Sequence, residues 1–188
     1  MSEAGIVEAT RRWVEEVVVA DALCPFATGL LEAGLLSIRV APQGQVEELL
    51  YLLADEAGRL RDLDPAQLET SLVVHPGLFD LFEEQLDFLG AVEGLLDELD
   101  LAQTLQVVSF HPDYRFEDAP PDDPANYTNR APFGMFHLLR RKSVEGALSG
   151  HPDPDAIWRR NVEQLRQRGA EACETKLRQL RALAKVGS

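Results

Sequence analysis

The stretch SLVVHPG, Ser71–Gly77, decides the fold, because a short valine-rich run that ends at a proline is typical of a buried β-strand. A second stretch, VVSFHPDYRF at Val107–Phe116, repeats the order of apolar run, histidine and proline. Proline has no backbone N–H and forces the residue before it into extended geometry. His75 and His111 are therefore predicted to be the last residues of their strands.

Helical and extended patterns alternate around these two strands. Apolar spacing predicts helices over 6–20, 46–60 and 133–148, one or two helices over 78–101, and a strand over 35–42. One final helix is predicted from 153 to about residue 184, after a loop that contains His151. Crossovers that contain helices favour parallel strand pairing. We predict one α/β domain over residues 1–188, with a small, mainly parallel sheet of three or more strands and helices packed on its faces.

Composition narrows the possible partners. The chain has 18 Lys and Arg against 32 Asp and Glu, a formal net charge of -14, which argues against binding to nucleic acid or to an anionic membrane surface. The N-terminal sequence lacks a basic start followed by an apolar core, so a cytoplasmic location is expected. The two cysteines, Cys24 and Cys173, are expected to be free thiols, and the oligomeric state is left open.

The two His-Pro ends form the first candidate site. Ligands bind at the carboxyl ends of strands in open parallel sheets, so His75 and His111 are predicted to stand at a functional edge. Cys24, in the stretch CPFA after the first helix, is the candidate nucleophile, with either histidine as its base. The alternative is structural: a histidine before a proline caps a carbonyl group, and a free cysteine fills a core.

The long polar stretch after His111 carries the candidate ligand-binding groups. NYTNRAP places Asn126, Asn129 and Arg130 in one short span, and no acidic residue occurs between Arg130 and Lys142. Because a guanidinium suits carboxylate or phosphate, a small anionic ligand is expected at Arg130. His137 is either a packed core residue or a further member of this cluster.

A metal site uses the same residues. His75, His111 and either Cys24 or His137 could supply three ligands with an open position, as a catalytic zinc site requires. The cofactor is undetermined and a divalent metal is possible, but no HExxH or CxxC spacing is present, nor GxGxxG, GxxxxGK[ST] or GxSxG.

The motifs CPFA, VHP, FHPDYRF and NYTNRAPFGMFHLLR occur in this order along nearly the whole chain. Together they resemble the bacterial and plastid family catalogued as domain of unknown function 1415. The resemblance implies no known activity. It implies one composite site, formed by Cys24, Arg39, His75, His111, Tyr114, Asn126, Asn129, Arg130 and His137.

Three functions are compatible with these residues. The first is an enzyme, a hydrolase or a transferase, that acts on a small anionic metabolite held by Arg130 and Arg39, with His75 or His111 as acid or base. The second is a metal-dependent hydrolase or metal-binding protein. The third is a non-catalytic binding or interaction module.

Overall fold

The computed structural model describes residues 1–42, 44–149, 153 and 155–186. In this part of the chain, four strands form one sheet, and six α-helices accompany it. The strands are β1 (Leu36–Val40), β2 (Thr70–Val74), β3 (Leu105–Phe110) and β4 (Met135–Arg140). The helices are α1 (Glu3–Trp13), α2 (Val46–Asp62), α3 (Phe82–Glu98), α4 (Arg141–Ser149), α5 (Asp155–Arg168) and α6 (Ala170–Val186). A π-helical segment, Val14–Val19, continues α1, and a 3₁₀ helix, Pro124–Thr128, lies in the long loop.

The sheet is mixed, so the α/β class is confirmed but the predicted mainly parallel sheet is wrong. The strand order is β1-β2-β4-β3; β1 and β2 are parallel, whereas β4 runs antiparallel to both of its neighbours. The error arises because β4 lies where apolar spacing predicts a helix. A short apolar run looks alike in a buried helix and in a central strand covered on both faces.

The C-terminal region also differs from its prediction. Instead of one final helix there are two, α5 and α6, and Gly169 between them has a φ of +84°, which interrupts helical geometry and is readily adopted only by glycine. The other predicted helices and strands, up to β3, lie close to their predicted bounds. His151 lies outside the described residues. Within those residues, no helix combines the length and the apolar character needed to cross a bilayer.

Two apolar cores cover the two faces of the sheet. On the first face, side chains of α1, the π segment and α6 pack with Leu72, Val74 and Met135. On the second face, side chains of α2 and α3 pack with Val73 and Phe136, among others. Because successive side chains of a strand point to opposite faces, neighbouring residues in β2 and β4 belong to different cores. This alternation decides which candidate residues can meet.

Candidate functional site

The first face of the sheet encloses an apolar cavity of about 100 Å³. Its polar lining residues are Trp13, Cys24, Thr70, Thr128 and His137. A second cavity of about 190 Å³ is lined by α4 and by the β3 and β4 strands. Both cavities are lined by Cys24, Phe26, Phe110 and His137. Cys24 and His137 therefore lie where the two cavities adjoin.

The π segment brings Cys24 to this place. Val14 and Val18 of the segment line the first cavity, and the widened turn ends with a backbone hydrogen bond of 2.9 Å from Leu23 N–H to Val18 O. Asn161 of α5 then donates its amide N–H to Leu23 O over 2.6 Å and fixes the chain next to Cys24. Single π-helical turns within α-helices are frequent at functional sites. Here the extra turn shapes the cavity wall.

Thr70 fixes the proton of His137. The Thr70 hydroxyl lies 2.6 Å from Leu138 O, a carbonyl that can only accept, so the single hydroxyl proton is used there. Nε2 of His137 lies 2.7 Å from the same hydroxyl oxygen and must therefore be the donor of that contact. Nδ1 is then the unprotonated nitrogen. Burial lowers the pKa of His137 to about 4, so the ring is neutral near pH 7.

Cys24 is half-buried, and its thiol is protonated at rest. Burial raises the pKa of Cys24, and hydrogen bonds from the backbone N–H groups of Phe26 and Ala27 oppose that rise. Cys173 is buried in the first core, and both cysteines are free thiols, as predicted. Of the two, Cys24 alone lines the cavities on the first face.

His75 lies on the second face of the sheet. Its ring packs against those of Phe79 and Phe136, with centroid distances of 5.1 and 5.2 Å. Burial, and secondarily the nearby His111, lowers the pKa of His75 to about 3. Among the described residues, neither ring nitrogen has a hydrogen-bond partner. His75 lines neither cavity, because β2 and β4 separate it from Cys24, so this pair does not form the predicted nucleophile and base.

His111 uses both ring nitrogens to hold the backbone. Nδ1 accepts a hydrogen bond of 3.1 Å from Asp113 N–H, so Nε2 carries the proton and donates to Phe79 O over 3.2 Å. Phe79 also contacts His75, so the two His-Pro ends lie side by side although β4 separates their strands. His111 matches the structural alternative, because it caps a carbonyl group, whereas the His75 ring caps none among the described residues.

The profile of the family described as Protein of unknown function (DUF1415) matches residues 5–175. The chain belongs to the DUF1415 family. Among curated proteins and among solved structures, nothing matches it. Two motifs quoted above for this DUF1415 protein line the first cavity: CPFA through Cys24, Phe26 and Ala27, and NYTNRAPFGMFH through Thr128 and His137.

The long loop of the DUF1415 chain is held by its own side chains. Asn126 is fully buried; its Oδ1 accepts from Phe116 N–H over 3.0 Å and its Nδ2 donates to Pro120 O over 2.9 Å. Arg130 donates from Nε to Tyr114 O over 2.9 Å, and its guanidinium also lies 4.7 Å from the centre of the Tyr127 ring. These contacts order the loop, and neither Arg130 nor Asn126 lines the two cavities.

The remaining predicted ligand-binding residues lie elsewhere. Tyr114 packs on Phe82 with ring centroids 4.8 Å apart, and the side-chain amide of Asn129 lies 3.1 Å from the Thr128 hydroxyl. Arg39 forms an ion pair of 3.1 Å with Glu56, a fully buried residue of α2 on the second face. The sheet thus divides the composite site implied by the resemblance. Of the nine residues of that site, Cys24 and His137 are the two that line both cavities.

The metal alternative has no ligand cluster in the part of the chain that the structure describes, where no three His, Cys, Asp or Glu residues are placed to hold an ion.

Three polar residues in the lining of the first cavity are not among the residues predicted from the sequence: Trp13, Thr70 and Thr128. Trp13 and Thr70 lie in segments whose patterns indicate only a helix and a strand. Thr128 could have been found, because it lies inside the NYTNRAP motif between Asn126 and Asn129. Its hydroxyl donates to Ala125 O over 2.9 Å.

Replacement of Asn126 by alanine is expected to lower the free energy of unfolding by about 2 kcal/mol, because it leaves Phe116 N–H and Pro120 O without their buried partner. Asn129→Ala is the matched control from the same motif and is expected to change stability by less than about 0.5 kcal/mol, since its side chain makes one half-buried polar contact, with the Thr128 hydroxyl. Urea denaturation followed by circular dichroism measures both. Equal effects of the two substitutions would contradict the role given to Asn126.

Proposed function

We propose that this protein is a thiol-dependent enzyme that transfers the acyl group of a small neutral ester or thioester. Cys24 is the nucleophile and His137 the general base. The observation that carries the proposal is that Cys24 and His137 line the same two apolar cavities, with Nδ1 of His137 left unprotonated by Thr70. Activation of a thiol by a neutral imidazole needs this proton arrangement.

In the proposed reaction, the Cys24 sulfur attacks the carbonyl carbon while its proton moves to Nδ1 of His137. The imidazolium keeps its Nε2–H bond to Thr70 and then returns the proton to the leaving oxygen or sulfur. An acyl-thioester of Cys24 and a free alcohol or thiol result. Water or a second acceptor removes the acyl group and restores the thiol. The N–H groups of Phe26 and Ala27 stabilise negative charge on the sulfur.

The proposed substrate is neutral because of the cavity lining. Among the described residues that line the two cavities, none is Arg or Lys. Arg130 is bound to carbonyl groups of its own loop and Arg39 to Glu56. An ionised carboxylate or phosphate in these cavities would lose its hydration without gaining a cation, which is strongly unfavourable.

A second candidate function is non-catalytic binding of an apolar ligand. The uncharged state of Cys24 and His137 favours this second function. The pKa of Cys24 is raised and that of His137 is lowered, so that neither side chain carries a charge near pH 7. The two functions differ in one observable, because only the enzyme forms a covalent acyl adduct.

S-phenyl thiobutyrate is expected to acylate Cys24 faster than mono-S-phenyl thiosuccinate by about tenfold or more, because the cavities disfavour the carboxylate. Each rate is first divided by the rate at which the same compound acylates glutathione, which removes the difference in intrinsic reactivity. Mass spectrometry of tryptic peptides measures the adduct, with Cys173 as the buried control in the same molecule and Cys24→Ala as the variant that lacks the nucleophile.

Faster reaction of the anionic ester would contradict the neutral substrate. Quenching of Trp13 fluorescence without any adduct would favour the binding function. That measurement uses a Trp158→Phe protein, because Trp158 is 53% exposed and Trp13 lines the cavity.

A further inference from the structure

The two cavities differ in their walls but meet at the same chemical groups. Leu30, Leu36 and Leu72 belong to the first cavity only. Val144, Ala147 and Leu148 of α4 belong to the second only. Cys24 and His137 line both. A molecule that presents its reacting carbon to Cys24 therefore has an apolar space on each side of that carbon.

The volumes of these spaces limit what they hold. The first cavity measures about 100 Å³ and the second about 190 Å³. An apolar cavity of about 150 Å³ is large enough to bind benzene. By that measure the first cavity is too small for an aromatic ring and fits a short alkyl group of about three carbons, whereas the second accepts a ring.

The two threonine hydroxyls of the first cavity are bound to backbone carbonyl groups, whereas Trp13 Nε1–H is buried without a partner among the described residues. The Thr70 hydroxyl donates to Leu138 O, and the Thr128 hydroxyl donates to Ala125 O. Neither threonine proton is therefore available to a ligand. In the second cavity, Cys24 and His137 are the polar members of the lining, and the other lining residues are apolar.

Building on the proposed function, we infer that the substrate is a thioester or ester with two apolar groups of unequal size. A short alkyl group on one side of the carbonyl occupies the first cavity, and a ring-sized group on the other side occupies the second. The junction residues Cys24 and His137 act on the carbonyl carbon between them.

A set of three thioesters with the same leaving group tests this inference: S-phenyl thioacetate, S-phenyl thiobutyrate and S-phenyl thiobenzoate. After correction for the rates with glutathione, the butyrate is expected to acylate Cys24 about tenfold faster than the acetate, because its propyl group buries additional apolar surface. The benzoate is expected to be the slowest, since its second ring does not fit the smaller cavity.

Two wall substitutions provide matched variants. Ala27 lines the first cavity only and Ala147 the second only. Ala27→Leu is expected to remove the preference for butyrate over acetate, and Ala147→Leu is expected to slow both thioesters while keeping their ratio. Thermal unfolding followed by circular dichroism verifies the fold of each variant, and the wild-type series decides alone if a variant does not fold.

The possible outcomes distinguish failure of the inferred two-group substrate from failure of the proposed thiol-dependent enzyme. Acylation of Cys24 at rates independent of acyl size in the wild type would overturn the two-group substrate and leave the thiol enzyme in place. So would an unchanged butyrate preference in folded Ala27→Leu. Absence of a Cys24 adduct with all three thioesters would overturn the proposed function, and the inference with it.

Discussion

Alanine in place of Gly134 is expected to lower the free energy of unfolding by about 3 kcal/mol or more, because the added methyl group has no room. Gly134 lies directly across from His75, whose N–H donates to Gly134 O over 2.9 Å, and the imidazole ring lies over the glycine. A Cβ atom at this position would lie 2.7 Å from Oε1 of Gln85 and closer still to Cε1 of His75. Real Cβ atoms essentially never approach other heavy atoms this closely.

The neighbours of Gly134 have little freedom to move. The His75 ring is packed against Phe79 and Phe136. Gln85 donates to the Ser109 hydroxyl over 2.5 Å and to Phe110 O over 2.9 Å. Relief of the clash would therefore require loss of aromatic packing or of buried hydrogen bonds, and either loss destabilises the fold.

Urea denaturation measures the change, and Gly94→Ala is the control. Gly94 lies within α3, where a Cβ atom would meet nothing within 4 Å, so alanine is expected to raise stability by up to about 1 kcal/mol through helix propensity. Combining Gly134→Ala with His75→Ala is expected to destabilise less than the sum of the single changes, because the ring that causes the clash is gone. A wild-type stability for Gly134→Ala would contradict this packing.

The local sequence was sufficient for those parts of the fold that depend on one segment. The His-Pro pairs end β2 and β3 nearly where predicted, because the effect of proline on the residue before it is local. The strand β4 could not be found this way. Its sequence MFHLLR has no alternation of apolar and polar residues, because the strand lies between β2 and β3 and both faces are covered.

The same strand explains what was missed in the site. Cys24 and His137 were each identified as candidates, but their pairing depends on which face of the sheet His137 occupies. That face follows from the pairing of His137 with Leu72 and Val108, which exists only once β4 is a strand. His75 was proposed as the base because its strand ends at the right edge. Its ring nevertheless packs with Phe136, the neighbour of His137 that faces the other core.

Glutamine in place of His137 is expected to slow acylation of Cys24 by S-phenyl thiobutyrate by about 10²–10⁴-fold, the usual contribution of a general base. Glutamine carries a side-chain N–H that can still donate toward Thr70, but its amide has no nitrogen that accepts a proton near neutral pH. Thr70→Val is the companion variant. It retains the imidazole and removes the group that fixes its proton, so it is expected to slow the reaction by a smaller factor, about tenfold. A folded His137→Gln protein with a wild-type rate would exclude His137 as the base.

The pH dependence of the same rate separates a base from a merely structural residue. Since burial lowers the pKa of His137 to about 4, the base is unprotonated at every pH well above that value. The wild-type rate is therefore expected to stay level between about pH 5.5 and pH 8, whereas a histidine with its ordinary pKa would cause a fall of about tenfold from pH 7 to pH 5.5. In His137→Gln only the thiolate reacts, and the pKa of Cys24 is raised. Its rate is thus expected to increase about tenfold for each pH unit over the same range. Parallel profiles for the two proteins would show that the proton of Cys24 does not pass to His137.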